Sequence, residues 1–290
     1  MIFDTYRPDT TGGYFERACQ ALGMTVEHWW LRDVARIPEG YDLYLRIDCG
    51  DGYDIRLPPN LRPVVFYAID THLPHSWEKI RRMAPQFDLV CCCHRDASLR
   101  LPDAVWLPVA GDPTMPAEHH GMNRFDVAFV GTDGGRPRKF YLQALRERYP
   151  QSFIGKADYR DLMTIYGQAR IGFNYSIGND VNMRIFEVLA ARTLLVTNAL
   201  ANDDLGRLGL EDRRHLVLYR RPAEVVELID YYLAHEEERE QIAASGAEVV
   251  RARHTYVHRM RQLLMTVSHR LGVPLPIQKG TQTNLFVSPI

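Results

Sequence analysis

Short apolar runs alternate with longer segments of helical period along most of the chain. In the first part, Ile2–Tyr6, Thr25–Trp30, Leu43–Ile47, Val64–Ile69, Phe87–Cys92 and Val105–Leu107 predict strands, and Tyr14–Leu22 and Ser76–Met83 predict helices. Several strand runs are apolar at consecutive positions, the pattern of strands covered on both faces, which points to a parallel sheet. The alternation starts afresh at Phe125. Strands are predicted at Phe125–Val130, Ser152–Ile154, Ile171–Tyr175, Leu194–Thr197 and Leu216–Tyr219. Helices are predicted at Arg136–Arg148, Tyr159–Ala169, Asn182–Ala191, Ala223–Ala234, Glu236–Val250 and Tyr256–Leu271. Between the two series lies Gly111–Gly121, rich in Pro, Gly and polar residues and without period, which reads as a linker. The expected fold class is α/β, with two facing Rossmann-like domains and a cleft between them. The expected boundaries are 1–112 for the first domain, 113–123 for the linker and 124–265 for the second domain. Residues 266–290 would form a helix end and tail that packs back on the first domain.

Composition narrows the classes. The chain has 290 residues, the length of two ordinary domains, and its 46% apolar and 24% charged residues exclude a disordered chain, a collagen and a coiled coil. Lys plus Arg (35) and Asp plus Glu (36) nearly cancel, which argues against a nucleic-acid partner that must be gripped through many phosphates. No apolar run approaches the roughly 18 residues of a membrane helix. The start, Met1-Ile2-Phe3-Asp4-Thr5-Tyr6, has no basic or long apolar leader pattern. Of the five cysteines, Cys91, Cys92 and Cys93 are consecutive in a strand pattern, so neighbours point to opposite faces; they read as small buried hydrophobes in a reducing cytoplasm.

Four stretches could carry chemistry. In Phe125–Lys139 a strand runs into Gly131-Thr132-Asp133-Gly134-Gly135 and then into a helix opening with Arg136, Arg138 and Lys139. Glycines let backbone N–H groups approach a phosphate, and a helix start adds partial positive charge. The spacing fits neither a dinucleotide fingerprint nor a P-loop, and a plain turn before a basic helix face is the alternative. In Tyr175–Ala191 a strand end and polar loop precede a helix whose core stripe is Ile185, Phe186 and Leu189. Arg184 and Glu187 share another face, either as a surface ion pair or as a diphosphate contact and a carboxylate for a ribose diol. Asp70 and His72 follow a first-half strand, where ligands of open α/β sheets bind, and could be acid, base or acceptor contacts; the bland alternatives are a helix cap and a structural histidine. A metal there is disfavoured, since Pro74 spoils a helical His72/His75 pair and no thiolate lies nearby. His254 and His258, four apart, read as packing and capping at a helix start. Gly12 and Gly13, after the first strand, are expected to line the cleft. No Gly-x-Ser-x-Gly, CxxC or Asp-x-Asp is present.

Asn182-Met183-Arg184-Ile185-Phe186-Glu187-Val188-Leu189-Ala190, followed by Leu194-Leu195-Val196-Thr197-Asn198, resembles the nucleotide-sugar half of GT-B-fold glycosyltransferases, nearest the CgeB-like spore-maturation group. Phe129-Val130-Gly131, Leu107–Pro113, His254-Thr255-Tyr256 and Asp70–Pro74 fit the same pattern, so the likeness covers roughly residues 61–265. It implies a GT-B-like fold and an NDP-sugar-dependent hexosyltransferase, with the nucleotide-sugar donor held by the second domain and no metal or other cofactor. Helix dipoles and Arg or Lys would then stabilise the leaving diphosphate. Glu187 would hold the ribose and Arg184 the diphosphate. Gly131, Thr132, Asp133, Arg136, Tyr175, Asn182 and Met183 would complete the donor site, and His72 and Asp70 would be catalytic. Retaining relatives carry a second glutamate eight positions before Glu187; here that position is Asn179, beside Asp180. The acceptor, be it glycan, protein or small molecule, is left open, as is the oligomeric state. The alternatives are a sugar-nucleotide epimerase or hydrolase of the same fold, a non-catalytic nucleotide-sugar-binding protein, or an enzyme that glycosylates DNA bases.

Overall fold

The computed structural model describes residues 1–4, 7–112, 114 and 124–274. The expected linker, Thr114 apart, and residues 275–290 of the expected tail lie outside them, as do Thr5 and Tyr6 of the first predicted strand. Among the described residues, nine strands form two all-parallel sheets. The first has the order β1 (Tyr44–Ile47), β2 (Val64–Ala68), β3 (Leu89–Cys92), β4 (Val105–Trp106). The second comprises β5 (Phe125–Val130), β6 (Ser152–Gly155), β7 (Ala169–Asn174), β8 (Leu194–Asn198) and β9 (Val217–Tyr219), in the order β6-β5-β7-β8-β9. The helices are α1 (Thr11–Ala21), α2 (Pro74–Met83), α3 (Arg95–Ser98), α4 (Arg138–Arg148) and α5 (Tyr159–Gly167), then α6 (Met183–Ala190), α7 (Asp204–Arg207), α8 (Pro222–Ala234), α9 (Glu236–Arg253) and α10 (Tyr256–Leu271). Strand order departs from chain order at β5–β7, the switch point beside which open α/β sheets bind ligands.

Two predicted strands are not formed as such. Ile2 makes single bridges to Trp29 and to Arg46, and Thr25–His28 is irregular, so this edge extends the first sheet by isolated bonds such as Ile2 N–H to Leu45 O (2.8 Å). Helix α1 begins three residues earlier than its periodicity predicts. The Thr10 hydroxyl caps it by accepting from Gly13 N–H at 3.5 Å, so Gly12 and Gly13 lie in its first turn and not in a loop. At Gly12 a Cβ would meet the Phe3 ring at 2.4 Å, so the glycine serves close packing of α1 on the sheet.

The two halves share one core. Leu45, Val65 and Tyr67 of the first sheet belong to the same buried cluster as Val130, Phe186 and Leu263. Helix α10 returns from the second half to the first: Tyr256 stacks on Tyr14 (centroids 5.2 Å apart) and meets Phe15 edge-on at 5.0 Å. The buried Arg259 donates to Pro108 O at 2.8 Å, and its neighbour His254 bonds Leu208 O at 2.9 Å. His258 completes a capping box with Thr255, so this histidine pair is structural. Cys91, Cys92 and Cys93 are buried free thiols.

Candidate functional site

Two cavities open at the carboxyl ends of the strands, between the sheets. The larger, about 430 Å³, is walled on one side by Asp9, Tyr14 and His72 and on the other by Gly131, Arg138, Tyr159, Asp180, Asn182, Met183, Arg184 and Glu187. Six residues expected from sequence therefore meet in one place: His72, Gly131, Asn182, Met183, Arg184 and Glu187.

Arg184 is held by the ends of two strands. Its Nε donates to Val130 O at 3.0 Å and its Nη1 to Asn174 Oδ1 at 3.0 Å, while the guanidinium lies 4.2 Å from the Phe129 ring centroid. Asn174 is fully buried and pinned in turn by donating to Thr197 Oγ1 at 2.9 Å. Gly131 passes directly over the guanidinium with φ of 143°, and a Cβ there would fall 2.4 Å from Arg184 Nη2. Only glycine meets both conditions. Arg138 approaches from the other side of the same loop, donating to Asp133 O (3.1 Å) and Tyr175 O (3.3 Å). Burial lowers the Arg138 pKa and the charge of Arg184 lowers it further, so two guanidinium groups converge on one cavity at mutual cost. An anion between them would relieve that cost.

Glu187 follows Arg184 by three residues on α6 and faces the same space. Its carboxylate accepts no hydrogen bond among the described residues. Burial raises its pKa to about 7; Arg184 pulls the value down and Asp9, across the cavity, pushes it up. At the start of α6, Asn182 donates to Ser176 Oγ at 3.0 Å, and its buried Oδ1 has no partner among the described residues. A half-buried carboxylate without donors, beside an unpaired amide oxygen, suits a ligand rich in hydroxyl groups.

Other expectations are corrected. Thr132, Asp133 and Arg136 are exposed and outside the cavity, because α4 begins only at Arg138 and Arg136 instead covers the Phe140 ring at 5.2 Å. Arg138, two positions further, occupies the place expected of Arg136. Tyr175 stacks on Tyr141 (5.2 Å) and serves the site through its carbonyl alone. Asn179 is spent on tying its loop to the one after β8, its Oδ1 accepting from Ala201 N–H at 2.6 Å, whereas Asp180 faces the cavity.

Asp70 and His72 separate. His72 is exposed in the large cavity, edge-on to His94 at 4.6 Å and beside Gly178 of the opposite half. His94, lowered to about 4 by burial and by His72, is neutral and bonds the Thr71 hydroxyl at 2.8 Å. Asp70 instead lines the smaller cavity of about 260 Å³, with Gly12, Asp48 and Gly50; Gly13 lines neither. Asp48 is saturated by Tyr53 OH (2.8 Å) and the N–H groups of Gly50, Ile69 and Asp70. Burial and that neighbouring charge raise the Asp70 pKa. Asp9 lines both cavities, which therefore adjoin. Asp9, Tyr14 and Tyr159 had no local sequence signal: Tyr14 looks like one more core position of α1, and only the meeting of the halves brings it to the site.

The sequence profile of the glycosyl transferase-like family matches residues 116–265, more than half of the chain. The chain belongs to the glycosyl transferase-like family. Its fold agrees with the two-domain GT-B arrangement of solved glycosyltransferases. Anabaena HepE, solved with UDP and glucose, is similar with a TM-score of 0.68 and 13% identity over 92% of this chain and 98% of that one. BGT of phage T4, solved with its UDP-glucose substrate, is similar with a TM-score of 0.55 and 11% identity over 94% and 99%. OtsA in its apo form is similar with a TM-score of 0.55 and 13% identity over 92% and 79%. No curated protein matches the sequence. The transferase has no helix among the described residues long and apolar enough to cross a membrane.

Proposed function

We propose that this glycosyltransferase takes a sugar from a nucleoside-diphosphate donor bound in the larger cavity and passes it to a hydroxyl acceptor, without a metal ion. The observation that carries the proposal is the convergence of Arg184, Arg138 and Glu187 on one space at the strand ends. The two guanidinium groups and the first turn of α6 would take the diphosphate and the charge that grows on it as the glycosidic bond breaks. Glu187 would accept from the ribose hydroxyls. That HepE and BGT were solved with UDP or UDP-glucose makes UDP the first nucleotide to test. Within the family, the Asn182–Ala190 stretch supports a place nearest the CgeB-like group. The five free cysteines suit a cytoplasmic protein.

On the acceptor side, His72 stands in the larger cavity, where a base must reach the attacking hydroxyl. Asp70 in the adjoining cavity would hold the acceptor. The test is incubation with UDP-, GDP-, dTDP- and ADP-sugars, with and without EDTA, reading free nucleoside diphosphate. Release with one donor, undiminished by EDTA and lost in Arg184→Ala, is the expected result. Release that disappears in EDTA and returns with manganese or magnesium contradicts the metal-free mechanism. No release and no nucleotide binding defeats the donor assignment.

A further inference from the structure

Tyr14, on α1 in the first half, lines the larger cavity yet has no role in the donor site assembled above. The residue is 1% exposed. One ring face stacks on Tyr256, and the Arg17 guanidinium lies 5.0 Å from the ring centroid. Neither contact uses the hydroxyl. Tyr159, also on the cavity wall, is the contrast: its hydroxyl bonds Asp112 and accepts from Arg17 at 3.3 Å. The Arg17–Asp112 ion pair, 2.6 Å long, ties α1 to the segment that joins the halves and so fixes the place of both rings.

The Tyr14 hydroxyl has no hydrogen-bond partner among the described residues, although buried phenols usually find one. Of the charges acting on it, Glu187 is the strongest, and with burial it holds the phenol protonated throughout the neutral range. A phenol on a buried ring from one half and a carboxylate from the other thus line the same space, and neither has a hydrogen-bond partner among the described residues. A vicinal diol satisfies the two together. Each of its hydroxyls can donate to the carboxylate, and each oxygen keeps lone pairs for the phenol.

We propose that the Tyr14 hydroxyl donates to a ribose oxygen of the nucleotide while Glu187 accepts from the diol, so that the donor is a ribonucleoside rather than a deoxyribonucleoside diphosphate sugar. This rests on the donor-site reading above. It adds that nucleotide selection is shared between the two halves and that Tyr14 is a specificity-determining residue.

Calorimetric titration with UDP, GDP, ADP and dTDP first identifies the tightest ligand. If it is a ribonucleotide, its 2′-deoxy and 3′-deoxy analogues are titrated into wild type and Tyr14→Phe, a variant that keeps the ring and its packing. The variant is expected to bind the ribonucleotide about five- to tenfold more weakly, and one of the two deoxy analogues within about twofold of wild type. Equal affinity of both proteins for the ribonucleotide, an equal loss for all three ligands, or dTDP as the tightest ligand overturns the Tyr14 proposal. Any of these leaves the donor site standing if wild-type binding is still lost in Arg184→Ala. Absence of nucleotide binding by wild type defeats both readings.

Discussion

Glu187→Gln should make the free protein more stable and the nucleotide complex weaker, and the first effect should depend on pH. The carboxyl titrates near 7 in the folded protein against an ordinary 4.5, chiefly because it is buried without hydrogen-bond donors. A raised acid pKa means that the folded state holds its proton longer than the unfolded state does. Stability from this group is therefore full below about pH 4.5, falls as pH rises through the interval to 7, and is level above it. The whole interval corresponds to about 3 kcal/mol. Comparing pH 5 with pH 8 captures roughly 2–3 kcal/mol, or roughly 3–5 °C in melting temperature for a chain of this size. Glutamine keeps the shape and cannot ionise, so the variant should track wild type closely near pH 5 and exceed it by that margin at pH 8. Nucleotide affinity should fall meanwhile, because the amide offers one acceptor oxygen where the carboxylate offers two. Thermal melts of both proteins across pH 5–8, without ligand, measure the first effect and calorimetry the second. A stability difference that is constant with pH, or that shrinks as pH rises, refutes the account of Glu187 as a carboxylate held ready for a ligand.

Gly131→Ala places a Cβ 2.4 Å from Arg184 Nη2 on a backbone with φ of 143°. Strain of about 1–3 kcal/mol should lower the melting temperature, and displacement of the guanidinium should weaken nucleotide binding about tenfold or more; normal values of both would show that the loop tolerates a side chain. His72→Ala removes an exposed side chain from the larger cavity, so turnover should drop about 100-fold with melting temperature and nucleotide affinity unchanged. Asp70→Asn should instead raise the acceptor KM with donor binding intact, and an equal effect on donor affinity would contradict the separation of the two cavities.

The fold was legible because parallel strands covered on both faces leave continuous apolar runs, and β2, β3, β5, β7 and β8 each read that way. The N-terminal edge was not, since single bridges at Ile2 impose no period on the sequence. In the site, Gly131, Arg184 and Glu187 could be read because they cluster at one strand–loop–helix junction each. Arg136 was preferred over Arg138 because two arginines two positions apart look alike until the helix start is fixed. Asp70 and His72 share a loop yet enter different cavities, a split that depends on the neighbouring strands: Asp48 of the β1 loop holds the Asp70 backbone through its N–H, and His94 after β3 meets the His72 ring edge-on. Tyr14 and Asp9 needed the third dimension altogether, because they reach Glu187 only across the contact between α1 and the second half.

If the larger cavity is a nucleotide site, Arg184 is the residue on which it is built. The most direct measurement of this is the titration of UDP, GDP, dTDP and ADP into wild type and Arg184→Ala, with the melting temperature of each free protein as control. A charge-assisted contact to a diphosphate is worth about 1.5–3 kcal/mol. One nucleotide should therefore bind wild type, and the variant should lose about tenfold or more in affinity for it while melting as a folded protein. Undiminished binding by Arg184→Ala would place the nucleotide elsewhere and contradict the account.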